Sequence, residues 1–355
     1  MSKGWQKKQL DLDILNLIYE FKALRGKTIV ALIKEENTQK VYDRLFAMKK
    51  AKRINSDPYS EKDMDAESNK RTRGLQTGKM FYMTQKGLAD YTLAVTGEEL
   101  ADNIVIKPPL EDDLIKCYYN SLLLENIDLP FISRKRFLEN RNLYKNYSMD
   151  IGCNGWQLIQ AHPFTEKYGN LLIQQSKRAE SDKINHRILL CRNNRHMLQL
   201  MRFHMQNISP ETYFMLNTDY EVIKTFLSAN AEELMLQSLG ERNTIELPST
   251  PQGCKYIING EPSNIYPLIG NPARLLRRLQ SVKSDSVQGI LGFATPEQEE
   301  LYNTYFAEQI KGYSTMQIDE GIIREPKTVG EEPASEKSHE EVYSDWADIN
   351  TQILN

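Results

Sequence analysis

The stretch of sequence that decides the fold runs from Asn37 to Thr84. It begins with NTQKVYDRLFAMKKAKRI at residues 37–54, continues through a polar and basic segment at 56–78, and ends with MFYMT at 80–84. Val41, Leu45 and Met48 recur at helical spacing, and Asn37 or Thr38 is a suitable N-terminal cap. The order predicts a helix, a strand from Ile54, a charged hairpin tip and a returning strand.

The residues on either side complete a small helical domain. Apolar residues at helical spacing predict a first helix from Leu10 to Leu24, with Gly26 as its stop. The segment from Lys27 to Ile33 is long enough for a second short helix. Thr84 is expected to cap a last helix that ends near Val95.

The front of the chain is basic and its end is acidic. Residues 1–86 contain nineteen Lys and Arg against eleven Asp and Glu, although the whole chain has a net charge of −3. Such asymmetry favours a polyanionic partner at one end. In a helix-turn-helix the third helix reads base edges, and flanking cations contact phosphates. The residues predicted to contact double-stranded DNA are Asn37, Thr38, Gln39, Lys40, Tyr42, Arg44, Lys49, Lys52, Arg53, Lys70, Arg71, Arg73 and Lys79.

Two local patterns carry a resemblance to a known superfamily. One places Val41, Tyr42, Leu45 and Met48 after Thr38, and the other is YMTQKG at residues 82–87. Together they resemble the winged-helix superfamily of bacterial DNA-binding proteins. The wing, near twenty-five residues, is longer than usual for that superfamily. Two other interpretations stay open, because basic helices are often only solvated surfaces and winged helices also bind proteins.

The rest of the chain predicts a mixed domain with a central sheet. Short apolar runs typical of strands lie at 156–159, 171–173, 188–190, 213–216, 244–247, 256–258 and 289–293. Helical patterns lie at 112–124, 133–142, 195–206, 220–228, 271–282 and 296–310. The predicted fold class is α/β (α+β). The predicted organisation is a winged-helix domain at 1–96, a linker at 97–110, an α/β domain at 111–316 and an acidic disordered tail at 317–355.

A winged helix followed by such a domain resembles the replication-relaxation proteins of Gram-positive plasmids and integrative elements. The resemblance implies a degenerate restriction-endonuclease-like core in the second domain. It also implies an accessory role in replication, relaxation or transfer of a mobile element. In the tail, Val342, Trp346, Ile349 and Ile353 approximate one face of a helix, which predicts a short segment that binds a partner protein. The alternative is a helix that folds back onto its own protein or covers its own basic N-terminal region.

Catalytic chemistry has little support in the sequence. Glu180, Asp182 and Lys183 have the residue types of a nuclease metal site, but they lie in a polar stretch. The four cysteines are scattered singly, and no nearby histidines complete a zinc pattern. The prediction is therefore a non-enzymatic protein without a metal or cofactor. A metal-dependent nuclease delivered by the winged helix, and a transcriptional regulator with a ligand- or partner-sensing domain, are the alternatives left open.

The location and partners follow from composition and domain order. The sequence contains no apolar run near the ~20 residues that a membrane span needs. The N-terminus is basic without an apolar stretch behind it, so no signal peptide is predicted. The expected location is the cytoplasm, with no membrane contact. The expected partners are duplex DNA and other proteins, with a homodimer left open.

Overall fold

A computed structural model of the chain describes residues 9–34, 37–60, 76–143, 149–184, 186–207, 210–240, 244–246, 254–279 and 287–324. The chain divides into two compact units. The first contains Met1–Ala161, His186–Arg192 and Leu216–Leu227. The second contains His162–Asn185, Asn193–Met215 and Ser228–Asn355.

The first part of the chain folds into helices around a small antiparallel sheet. Its elements are α1 (Gln9–Phe21), β1 (Ala23–Arg25), α2 (Gly26–Ile33), α3 (Thr38–Lys50), β2 (Ile54–Ser60), β3 (Gln76–Met83) and α4 (Gln85–Thr96). The strand order is β1-β3-β2, and both pairings are antiparallel. Three helices followed by a two-stranded hairpin and a closing helix form a winged helix, as the sequence predicted.

One detail of the predicted first helix is wrong. The helix ends at Phe21, and Lys22 has a left-handed backbone with a φ of 72°. Ala23 and Leu24, which the sequence analysis placed in that helix, belong instead to β1 and pair with Tyr82 and Phe81 of β3. Gly26 therefore begins α2 and does not stop α1. Pairing with β3 buries Ala23 and Leu24 completely, which explains why tertiary contact overrides the helical pattern.

The core of the winged helix joins the inner faces of α1 and α3. Ile14 and Ile18 of α1 pack in one buried cluster with Val41, Leu45 and Met48 of α3. Each fully buried aliphatic side chain contributes about 1.5–3 kcal/mol relative to an exposed one. The inner face of α3 is therefore fixed by packing, and the opposite face is turned away from the core.

The wing is tied to α4 at a close backbone contact. Thr84 caps α4 by accepting a hydrogen bond from the Gly87 N–H, and its Oγ1 donates to Lys52 O at 2.6 Å. A Cβ on Gly87 would lie 1.9 Å from Arg53 O. Only glycine allows this approach, which gives the YMTQKG pattern its physical reason.

The remaining elements complete the two units. They are α5 (Glu111–Asn126), β4 (Ile132–Ser133), α6 (Arg134–Asn140), β5 (Ile151–Cys153), β6 (Trp156–Gln160), α7 (Glu166–Ser181), β7 (Arg187–Cys191), α8 (Asn194–Gln206), β8 (Tyr213–Leu216), α9 (Tyr220–Ser228), α10 (Ala231–Leu239), β9 (Thr244–Glu246), β10 (Tyr256–Ile258), β11 (Glu261–Pro267), α11 (Ala273–Leu279), β12 (Gln288–Phe293), α12 (Pro296–Tyr305), α13 (Ala307–Ile310), β13 (Ser314–Gln317) and β14 (Ile323–Arg324). Helices and mixed sheets confirm the predicted α+β class.

The first unit extends beyond the predicted winged-helix domain. Tyr118 and Tyr119 of α5 are buried in one cluster with Ala23, Met80 and Tyr82 of the winged-helix sheet. The strands β4, β5, β6 and β7 follow one another in a second sheet, in which β6 and β7 are parallel. The predicted boundaries at 96, 97–110 and 111 are not those of the compact units, and the domain division stays a prediction.

The second unit contains a six-stranded mixed sheet in the order β14-β13-β12-β11-β10-β9. The strands β11, β12 and β13 are parallel. The predicted strand at 171–173 is wrong, because these residues lie in α7, which buries Gly169, Leu172, Ile173 and Ser176 at helical spacing. Ordered structure continues through β14, so residues 317–324 do not belong to a disordered tail. The predicted tail helix lies outside the described residues.

Within the described residues, none of the helices has the length and apolar character needed to cross a bilayer.

Candidate nucleic-acid interface

The helix α3 begins at the predicted cap. The Asn37 side chain accepts a hydrogen bond from the Lys40 N–H at 3.3 Å, and Asn37 itself has extended backbone geometry. Capping satisfies one of the backbone donors that a helix start leaves unpaired. The cap fixes the residue at which the helix begins, and the burial of Val41, Leu45 and Met48 fixes which face turns inward.

The opposite face of α3 is exposed. The exposed residues of α3 and its cap are Asn37, Thr38, Gln39, Lys40, Tyr42, Asp43, Phe46, Ala47 and Lys50. Gln39 and Asp43 lie one turn apart, and the Gln39 amide donates to the Asp43 carboxylate at 2.9 Å. Five of the predicted contact residues, Asn37, Thr38, Gln39, Lys40 and Tyr42, therefore share one accessible surface.

Three exposed residues of this face, Asp43, Phe46 and Lys50, were not among the predicted contacts. Phe46 has 73% of its surface exposed, and Lys50 is also exposed. The signal was present in the sequence, because Gln39, Asp43, Phe46 and Lys50 follow one another at helical spacing. The predicted contacts on α3 included one aromatic residue, Tyr42, and the cations Lys40, Arg44 and Lys49, but neither Phe46 nor Lys50.

A concave groove of about 940 Å³ lies beside this face. It is lined by α3, by the start of α2 and by residues of β2 and β3. Its exposed cations are Lys27 at the start of α2, Lys50 of α3 and Lys79 of β3. Tyr42 and Phe46 contribute apolar surface to it, so the groove combines positive charge with aromatic rings.

Lys49 joins the helix to the hairpin. Its ammonium donates to Ser56 Oγ at 2.6 Å and to Ser56 O at 3.4 Å. Both bonds hold the ammonium against a single residue of the hairpin. Lys49 both lines the groove and fixes the position of β2 relative to α3.

Arg44 is placed differently from the prediction. Its Nε donates to Asp11 Oδ1 at 2.6 Å, and its Nη2 donates to Asp11 Oδ2. The Asp11 side chain is fully buried, and only 25% of the Arg44 side chain is exposed. Hydrogen bonding to Asp11 raises the pKa of Arg44, although burial opposes this. The Nε–Nη2 edge of the guanidinium thus binds a buried carboxylate of α1, so Arg44 has a structural partner inside the protein.

Arg53 also has an internal partner. Its Nε donates to Asp90 of α4 at 2.7 Å, and 14% of its side chain is exposed. The neighbouring Lys52 is exposed and has a left-handed backbone with a φ of 59°. Of these two predicted contacts, Lys52 is accessible and Arg53 links the hairpin to α4.

The predicted contacts on the hairpin fall into two groups. Lys79 lies on β3, is exposed and lines the groove. Lys70, Arg71 and Arg73 lie outside the described residues.

The rim of the groove is held in place by α5. Arg25 Nη1 donates to Glu125 Oε2 at 2.8 Å, and Thr28 Oγ1 donates to Glu125 Oε1 at 2.5 Å. Only 6% of the Glu125 side chain is exposed. Because one carboxylate binds both β1 and α2, Arg25 serves as an anchor and the exposed charge at this rim comes from Lys27.

The residues considered for nuclease chemistry lie in a helical segment. Glu180 belongs to α7, Asp182 caps its C-terminal end, and Lys183 follows in a turn. Among the described residues, no group of three or more His, Cys, Asp or Glu is arranged to hold a metal ion. The four cysteines are buried, and burial raises the pKa of Cys117 to about 12 and that of Cys153 to about 11.

No protein-family model and no curated protein matches the sequence. Among solved structures, the chain is similar to Bacillus subtilis PadR in complex with operator DNA, with 15% identity and a TM-score of 0.20. The match covers 50% of this chain and 91% of that chain. A TM-score of 0.20 is too low to assign a fold or a function. The winged-helix assignment therefore depends on the elements of this chain alone.

Proposed function

We propose that this protein binds duplex DNA through its winged helix, with α3 in the major groove and the β2–β3 hairpin beside the sugar-phosphate backbone. The observation that carries the proposal is the groove beside α3, which brings Lys27, Lys50 and Lys79 around an exposed helical face. The major groove of B-DNA is about 12 Å wide and admits one α-helix.

The chemistry of the groove divides into two roles. Exposed lysines at its rim are suited to phosphate oxygens, which position a protein but carry no sequence information. Gln39 and Asp43, which line the groove, and Thr38 at the start of α3 can hydrogen-bond to base edges. An acidic side chain such as Asp43 favours the amino group of cytosine over phosphate. The Asp43 carboxylate repels phosphate groups when a duplex binds in the wrong register. This repulsion favours sequence-specific over non-specific DNA binding.

The biological role of DNA binding is a separate part of the proposal. The exposed helix supports a non-enzymatic protein that marks a DNA site, and the rest of the chain would then recruit other proteins or a second copy. An accessory role in replication, relaxation or transfer of a mobile element remains a prediction from the sequence resemblance, and a transcriptional regulator is its main alternative. Footprints on the protein's own upstream DNA and on a transfer or replication origin would distinguish the two.

The test of DNA binding uses the full chain and a 30-base-pair duplex of mixed sequence, with affinity followed by fluorescence anisotropy at several salt concentrations. The variant carries Lys27→Ala, Lys50→Ala and Lys79→Ala. If each lysine neutralises one phosphate, the slope of log K against log salt falls in magnitude by about 0.9 per lysine. Affinity at low salt is expected to fall at least about tenfold.

A matched control removes the same charge elsewhere. Lys107, Lys183 and Lys311 are exposed and do not line the groove. Their replacement by Ala should leave the salt slope within the error of the unchanged protein. Equal losses in the two triple variants would mean that net charge alone drives binding and would overturn the assignment of the groove. Cleavage of the duplex with added Mg²⁺ or Mn²⁺ would instead favour the nuclease alternative.

A further inference from the structure

Phe46 is an unusual residue for the surface of a basic helix. Within the described part of the winged helix, no other large apolar side chain is as exposed, and its 73% compares with 41% for Tyr42 one turn earlier. Single exposed apolar residues are common on proteins. Two aromatic residues one turn apart, both lining one groove, form an apolar surface that an apolar ligand group can cover.

The Tyr42 ring is held close to the floor of the groove. A Cβ on Gly26 would lie 3.3 Å from Tyr42 Cε1 and 3.1 Å from Phe81 Cε2. The start of α2 is therefore packed against both rings, and the glycine leaves them room. Phe46 lines the same groove and is the more exposed of the two aromatic residues, so its ring is accessible to a ligand there.

The phenyl ring cannot hydrogen-bond, which limits what it can recognise on DNA. The edges of base pairs in the major groove present donors, acceptors and one apolar group, the C5 methyl of thymine. Lys27, Lys50 and Lys79 surround the aromatic residues with positive charge, which favours a nucleic acid over an apolar peptide. The apolar partner that such a charged groove can accept is therefore a thymine methyl.

We propose that Phe46, supported by Tyr42, reads the 5-methyl groups of thymine in the major groove. This inference depends on the proposed DNA binding. Phe46 lies eight residues after Thr38, which is about 12 Å along the helix axis. At about 3.4 Å per base pair, the polar start of α3 and Phe46 read positions three to four base pairs apart. The bound site has thymine opposite the C-terminal half of α3.

The experiment first selects duplexes from a random library with the full chain and then modifies the selected duplex. Each thymine is replaced in turn by deoxyuridine, which removes only the methyl group, and affinity is measured by fluorescence anisotropy. Burial of one methyl-sized group is worth about fourfold in affinity. One or two thymines should show this loss, and the other positions should show none.

Three variants assign the effect to Phe46. In Phe46→Ala the difference between thymine and deoxyuridine should disappear, whereas Phe46→Leu, which keeps apolar surface, should retain part of it. Val105→Ala is the control, because Val105 is 69% exposed and does not line the groove. It should keep the fourfold difference. Thermal melting of each variant checks the fold, and an exposed side chain such as Phe46 should leave it unchanged.

The outcomes separate this inference from the proposed function. If the library gives no enrichment and no duplex binds at low salt, DNA binding itself fails and the inference fails with it. If duplexes bind but every thymine tolerates deoxyuridine, DNA binding stands and methyl reading is overturned. A difference that survives in Phe46→Ala would overturn the role of Phe46. Unchanged affinity and unchanged selected sequences in Phe46→Ala would show that Phe46 takes no part in DNA recognition and would overturn the inference.

Discussion

Arg44 and Lys50 carry the same charge on the same helix, yet they face different surroundings. The Nε–Nη2 edge of the Arg44 guanidinium binds Asp11, whose side chain is fully buried. Lys50 is exposed and lines the groove beside α3. The difference comes from α1, since Asp11 supplies a buried carboxylate beside Arg44.

The comparison shows that the cations of α3 lie in two kinds of surroundings. A cation paired with a buried carboxylate holds two helices together, because the loss of either partner leaves an unpaired charge in the core. A cation exposed beside a groove adds little to stability and remains available for a ligand. Arg53 and Lys52 repeat the contrast at the end of α3, where Arg53 pairs with Asp90 and Lys52 is exposed.

The largest expected effect comes from Arg44→Ala. The change leaves Asp11 buried without its partner, and we expect the free energy of unfolding to fall by about 3 kcal/mol. Urea denaturation followed by circular dichroism should show a lower midpoint with an unchanged slope. The double variant Asp11→Leu with Arg44→Met replaces the ion pair by an apolar pair, and it should recover most of the loss.

Two results together would contradict this assignment. Arg44→Ala would change the free energy of unfolding by less than about 0.5 kcal/mol, the range of ordinary surface changes, and it would weaken DNA binding as strongly as the lysine variants. Arg44 would then be a DNA-contacting residue.

The local features of the winged helix could be predicted from the sequence because neighbouring residues determine them. Asn37 caps α3, Thr84 caps α4, and Val41, Leu45 and Met48 form the buried face, all as the spacing predicted. Each of these features needs only a few residues along the chain. The order helix, strand, strand, helix then follows from the polar and apolar pattern between residues 37 and 96.

The features that sequence reasoning missed depend on distant partners. The bond between Arg44 and Asp11 joins residues 33 positions apart, and charge patterning cannot show which cation has a buried acid beside it. The strand β1 has only three residues and exists because β3 returns beside it. At 171–173, a short apolar run is ambiguous between strand and helix, and the buried positions over the whole of α7 decide for the helix.

A second, smaller effect is expected for Arg53→Ala. Asp90 has 27% of its side chain exposed, so water can solvate the carboxylate that the change leaves behind. We expect the unfolding free energy to fall by about 1 kcal/mol, mainly through weaker attachment of α4 to the hairpin. Lys52→Ala, one residue earlier and exposed, should stay within about 0.5 kcal/mol. A larger loss for Lys52→Ala than for Arg53→Ala would reverse the assignment of the two side chains.

The smallest effect on stability, and the sharpest contrast with Arg44, is expected for Lys50→Gln. Lys50 is the last residue of α3, so removal of its charge loses a favourable interaction with the helix C-terminus worth about 0.3 kcal/mol. The same change should lower the magnitude of the salt slope for DNA binding by about 0.9, because one phosphate contact is lost. The measurements are the urea denaturation and the anisotropy titration used above, with Lys107→Gln as the matched control.

The two measurements together decide whether the exposed and the paired cations of α3 have separate roles. Arg44→Ala should lower mainly the free energy of unfolding. Lys50→Gln should lower mainly the magnitude of the salt slope. If the salt slope of Lys50→Gln equalled that of the control Lys107→Gln, the groove would lack a phosphate contact at the end of α3. The phosphate contacts of the groove would then have to come from Lys27 and Lys79 alone.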